Sequence, residues 1–256
     1  MLDWRQYRQD FLWFSYFGIT EQDARSDAAE AMRVCIRRAF RDLSRTLDYT
    51  YSESSLKGMD KAAAADYRNA KARFKEDPET KGGIVDFLAR EIERLLEREV
   101  ASDEQFDTWH DSICGHIIHT ASHFKSDRGV PLFRESGFTY GQAQKWVNMT
   151  LKNMLIMGAW DALEAVAPHL HIPLDSYIFS AAMQAEDRPV YDGSAVKGLG
   201  IERPEAPWSN LDNRNRAYSD YQNRVREKTR GQRLSPIEWE GPAWIAQAKA
   251  ENGKNK

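Results

Sequence analysis

Lys145, Asn148 and Lys152 recur along the run from Thr139 to Met157, and Asp175 follows about thirty residues after Lys145, in the step Pro173-Leu174-Asp175. A lysine amine attacks an electrophilic carbon once it has lost its proton, which desolvation, a helix N-terminus and a second cation all favour. A nearby ionised carboxylate stabilises positive charge that develops on the reacting carbon. If the run is helical, Lys145 and Lys152, seven residues apart, differ by about 20° round the axis and roughly 10 Å along it. Asn148 falls between them, so one stripe carries two amines and an amide. Pro173 suits a first helical turn, which places Asp175 in that turn with its carboxylate at the positive end of the dipole. The plainer alternatives are a solvated lysine face and an acidic residue favoured in a first turn.

The elements that must position these groups read as helices. Period-3.6 patterns dominate the chain and strand-like alternation is scarce, which predicts an all-α fold. Helices are expected over 4–17, 26–47, 60–75, 84–100, 103–124, 139–157, 160–166, 173–184 and 213–230. A last helix starts at Ser235-Pro236, and Gly241-Pro242 is expected to divide it. Thr139 is the expected N-cap of the lysine helix, and Gly141 is expected to keep its first turn open, so that backbone amides there can meet a phosphate. Val147, Leu151, Met154 and Leu155 form its expected buried face. The whole chain, 1–256, reads as a single domain. It holds a lysine and aspartate segment over 137–182, an irregular loop over 186–213 and a basic helical segment over 214–250. The tail from Glu251 is expected to fray.

Two cysteines, Cys35 and Cys114, sit inside helical patterns without paired spacing, so both are expected as small core residues of a reduced, cytoplasmic protein. No window is apolar enough to span a bilayer, and no secretory leader is evident, so no membrane partner is expected. A formal net charge of -3 offers no global attraction to polyanions, and any nucleic-acid site must be a local patch.

At Lys145, Lys152 and Pro173-Leu174-Asp175 the chain resembles the helix-hairpin-helix DNA glycosylase superfamily, most closely its archaeal 8-oxoguanine glycosylase branch. The likeness covers residues 137–182. In place of the usual Leu-Pro-Gly-x-Gly hairpin this sequence carries Gly137-Phe138-Thr139-Tyr140-Gly141, and Ala143 stands where commoner members place the lysine. The resemblance implies a two-lobed helical fold with a helix-hairpin-helix-like element and the active site in the interlobe cleft. It implies Lys145 as the nucleophile at the sugar C1′ and Asp175 as the group that supports departure of the base; Asn148 and Lys152, on the same stripe, are the candidates to support them. Neither a metal nor an organic cofactor is required. The implied partner of the monomer is double-stranded DNA carrying a modified base. That base is an oxidised purine in repair, or a bulky modified base of phage DNA in defence.

A glycosylase must hold a duplex and rotate a nucleotide into its pocket, which takes local positive charge. Thr139, Tyr140 and Gly141 at the hairpin, and Arg224, Arg226 and Arg230 in a cluster interleaved with Tyr218 and Tyr221, are the expected DNA contacts. Arg33, Arg37 and Arg41 are expected on a solvated face. The helix from His110 to His123 offers a rival site, because His116, His119 and His123 fall at i, i+3 and i+7, as for a metal-dependent hydrolase. No HExxH or paired CxxC accompanies them, and satisfied, partly buried histidines are the expectation. A non-enzymatic helical binding module is the third reading.

Overall fold

A computed structural model describes residues 4–77, 82–135, 137–189 and 195–254. Pro78, Ser136 of the hairpin, 190–194 of the expected irregular loop and 255–256 of the tail lie outside the described residues. The chain is mostly helical: α1 (Trp4–Phe17), α2 (Glu21–Ser26), α3 (Ala28–Leu43), α4 (Glu53–Lys57), α5 (Lys61–Lys75), α6 (Ile84–Leu96), α7 (Asp103–His123), α8 (Tyr140–Met157), α9 (Asp161–Val166), α10 (Ser176–Met183), α11 (Ala217–Gly231) and α12 (Pro236–Lys254). Apart from two isolated bridges, the one ladder among the described residues is antiparallel. It pairs β1 (Arg188–Pro189) with β2 (Ala195–Val196), Arg188 opposite Val196.

Caps explain where the boundaries depart from expectation. Asp27 is non-helical, at φ -140° and ψ 81°, and accepts from the Glu30 N–H at 2.9 Å, so it starts α3 and separates it from α2. Asp175 is likewise the N-cap of α10 rather than a first-turn residue, with φ -150° and its Oδ1 accepting from the Ile178 N–H at 2.8 Å. Pro173 therefore lies before the helix, and α10 is three residues shorter at its start than expected. Pro242 does not divide the last helix. α12 runs through it, with Trp239, Ala243 and Ala246 buried on either side of the missing hydrogen bond. Packing outweighs the lost bond there.

The apolar core separates into two clusters. The first collects Met32 and Ile36 of α3, Leu88 and Ile92 of α6, Phe106 and Ile117 of α7, and Trp146, Val147 and Leu151 of α8. The second collects Ile172, Ile178, Phe179, Leu211, Tyr218, Tyr221, Val225 and Trp239 from α10 to α12 and the segments before them. Half-buried Tyr140 and Trp208 pack against both. α8 packs against α3 and α7 and is buried almost all round, including its polar residues Gln144, Asn148 and Asn153. The solvated lysine face considered from sequence is thus an interior face. Cys35 and Cys114 are free and fully buried in the first cluster, as expected.

Candidate functional site

The N-terminus of α8 is built as predicted and then closed over. Thr139 caps it in a reciprocal box with Gln142: the Gln142 N–H donates to Thr139 Oγ1 at 3.1 Å, and the Thr139 N–H to Gln142 Oε1 at 2.9 Å. Thr139 Oγ1 also donates to the Ser209 carbonyl, and the Gly141 N–H donates to the Leu211 carbonyl at 2.9 Å. A Cβ at position 141 would overlap the Trp208 carbonyl. Gly141 therefore admits the segment over residues 208–211, and does not hold the turn open to a phosphate. The Tyr140 hydroxyl donates to Asp111 Oδ1 at 2.9 Å.

One turn further on, Lys145 is 5% exposed and its Nζ lies 2.9 Å from Asp175 Oδ2. The two groups that the sequence singled out meet as an ion pair between a helix interior and a helix cap. Both carboxylate oxygens of Asp175 are engaged, Oδ1 by its own helix and Oδ2 by the lysine, so the carboxylate is fixed against the amine. Lys145 Nζ also stands 5.7 Å from the centroid of the Trp208 ring. Asp175 retains 18% side-chain exposure and is the open side of the pair. Ala143, at the position where commoner glycosylases carry the lysine, is fully buried in the first core cluster.

Lys152 does not contact this pair. Its Nζ lies 2.7 Å from the carboxylate of Glu240, a residue of α12 whose side chain is 1% exposed. Burial raises the Glu240 carboxyl above its ordinary range, opposed by the Lys152 ammonium and by the field of Lys145. Two lysines on α8 are thus matched by two carboxylates from the second cluster's helices. Sequence reasoning passed over Glu240, which stands in the run Trp239-Glu240-Gly241-Pro242-Ala243-Trp244. A lone carboxylate in an apolar helical stretch was the available signal.

Asn148 leads into a buried network that was also missed. Its Nδ2 donates to Gln144 Oε1 at 2.9 Å and the Tyr218 hydroxyl at 2.9 Å and approaches the Ile172 carbonyl at 3.2 Å, while its Oδ1 sits 2.9 Å from His110 Nε2. The Tyr218 hydroxyl lies 2.9 Å from His171 Nδ1, and His171 Nε2 lies 2.8 Å from Asp107 Oδ1. Donor and acceptor roles close if His171 is neutral with its proton on Nε2. Burial lowers the His171 pKa to about 4, against the opposing pull of Asp107, and lowers that of fully buried His110 well below the usual histidine value.

Arg226 belongs to this network and not to the surface. Its side chain is 2% exposed and grips Asp107 with two hydrogen bonds, Nη1 to Oδ2 at 2.9 Å and Nη2 to Oδ1 at 2.7 Å. Burial raises the Asp107 pKa, yet the hydrogen bonds from His171 and Arg226 overcome it and hold that carboxyl below the ordinary range. Its expected role in DNA contact is corrected accordingly. Arg230 is exposed but pairs with Asp103. Arg224 and Lys228 are exposed on α11, the Arg224 guanidinium 5.5 Å from the Tyr221 ring. On the other arginine stripe, Arg33 meets Asp86, and Arg37 meets Glu30 and Glu76, so these residues tie helices together.

The histidines of α7 divide differently from expectation. His116, His119 and His123 are exposed, because Ile113, Ile117 and Ala121 take the core side of the helix. His116 stacks on Phe87 at 3.8 Å between centroids, and the rings of His119 and His123 lie 4.4 Å apart. Among the described residues, no group of three or more His, Cys, Asp or Glu is placed to hold a metal ion. No helix among them is long and apolar enough to cross a membrane. No protein-family model, curated protein or solved structure matches the chain.

Proposed function

We propose that this protein is a DNA glycosylase that cleaves the N-glycosidic bond of a modified base turned out of a duplex. The observation that carries the reading is the 2.9 Å contact between the buried Lys145 ammonium and the capping carboxylate of Asp175. Burying a charge pair gains little stability over packed apolar side chains, and of the two pairs on α8 this one leaves its carboxylate open, at 18% exposure against 1% for Glu240. A nucleophile that must be desolvated beside its own proton acceptor is served by such a pair.

In the proposed reaction the Lys145 ammonium gives a proton to Asp175, and the amine so freed attacks the sugar C1′. The new C1′–N bond forms as the glycosidic bond breaks, and the base leaves with the bonding electron pair and takes up the proton that Asp175 had accepted. Asp175, held in place by the Ile178 N–H and a carboxylate again once its proton has gone to the leaving base, stabilises the positive charge that spreads over C1′ and the ring oxygen. Loss of the Lys145 proton and opening of the sugar ring leave a Schiff base between enzyme and DNA, which also accounts for strand cleavage as a second activity. The turn over 137–141, covered by residues 208–211, makes no phosphate contact in this reading, and the cleft lies where Tyr140 and Trp208 bridge the two core clusters. Trp208, beside Lys145, is the aromatic wall nearest the reacting amine. Arg224 and Lys228 supply the exposed positive charge on α11.

The test is incubation of the protein with duplexes carrying oxidised, alkylated or phage-type hypermodified bases, scoring free base by mass spectrometry. Release from at least one class is expected. Absence of release from all three classes, by protein that binds those duplexes, removes the proposal.

A further inference from the structure

Six of the nine large hydrophobic side chains that the described residues leave exposed fall in α1: Trp4, Tyr7, Phe11, Leu12, Phe14 and Tyr16. Trp4, Tyr7, Phe11 and Phe14 are each between 49% and 61% exposed. At 100° per residue these four lie within about 80° of the helix circumference and make one aromatic stripe. α1 is attached by its far side and its end, where Trp13 and Phe17 pack on the first core cluster. A helix of this length is marginal in water without tertiary cover, and its most apolar side faces solvent.

We propose that α1 is a homodimer interface in which the stripe packs antiparallel on the same stripe of a second copy. Self-complementarity singles out a second copy as the occupant. The spacing 4, 7, 11, 14 runs 3, 4, 3 and reads the same in either direction. A twofold axis beside residue 9 therefore sets Trp4 against Phe14 of the other copy and Tyr7 against Phe11, in both halves at once. Heptad spacing of this kind is also what lets two helices interdigitate. The area agrees. At the stated exposures the four rings offer roughly 450–500 Å² per copy, at the upper end of what monomers leave bare. With rim residues such as Arg8 and Ser15 the patch approaches the ~800 Å² per partner of a standard interface. The proposal replaces the monomer expected from sequence and is independent of the glycosylase reading.

Sedimentation equilibrium of the full chain at tens of micromolar is expected to give twice the 29.5 kDa chain mass. Phe11→Glu is expected to give the monomer with an unchanged circular dichroism spectrum, and Leu12→Glu, off the stripe, to leave the dimer. With Tyr7→Cys and Phe11→Cys chains mixed under mild oxidant, the mixed disulfide should form faster than either symmetric one. A wild-type monomer, including one that binds phospholipid vesicles or DNA through α1 instead, overturns the proposal. So does a dimer that survives Phe11→Glu, or faster symmetric cross-linking.

Discussion

The Lys145 and Asp175 pair was legible in the sequence because each residue's position follows from a local rule: helical period for the lysine, helix start for the aspartate. Their contact was not legible, since it depends on how α10 returns to α8. The same limit hid Glu240, whose partner Lys152 lies 88 residues away. It also hid His171, whose partners Asp107 and Tyr218 come from α7 and α11. His171 gives a prediction at this scale. Its folded pKa of about 4 lies below the ordinary 6.5, so between these values the unfolded chain binds a proton that the folded chain refuses. Stability is therefore complete above pH 6.5 and falls as pH drops towards 4, by about 3 kcal/mol for a shift of this size, with His110 acting in the same direction. Thermal melts across this window check it. His171→Gln should flatten the slope, and a slope equal to wild type would place the titrating group elsewhere.

At the scale of elements, each of the nine helices expected before the last one has a counterpart, because amphipathic period is strong in the longer ones, but α10 and α11 start three and four residues later than expected, α10 because Asp175 caps it. α2 and α4, at six and five residues, each bury a single side chain, Ala24 and Leu56, and so show no period. α11 was read as a basic surface helix, yet the sequence cannot say that Asp107, 119 residues earlier, waits for Arg226. Two variants separate these roles. Arg226→Ala should cost about 3 kcal/mol, because Asp107 loses both charged hydrogen bonds, and its loss of DNA affinity should follow its loss of fold. Arg224→Ala with Lys228→Ala should leave the melting temperature within a degree or two, yet lower the slope of log affinity against log salt by up to about 2. An unchanged slope would make α11 an ordinary solvated face. The closed N-terminus of α8 gives a third case. Gly141→Ala forces a methyl group into the Trp208 carbonyl and should destabilise by about 1–3 kcal/mol, read as a lower urea midpoint. An unchanged midpoint would show that the segment over 208–211 does not rest on α8.

At the scale of the whole molecule, α8 runs through the first core cluster while its charged stripe faces groups delivered by the second. Lys145 and Lys152 are answered from α10 and α12, and Asn148 from α7 and α11. An interior stripe of this kind places a lysine out of water, against a fixed carboxylate, beside the half-buried Trp208. The measurement that tests this account most directly is borohydride trapping on the modified duplex from which wild-type protein releases most base, comparing wild type with Lys145→Gln. Wild type should give a covalent protein–DNA adduct, and Lys145→Gln none, at equal DNA occupancy and at a temperature where both proteins are folded. An adduct that persists in Lys145→Gln would contradict the assignment of the nucleophile and with it the central claim.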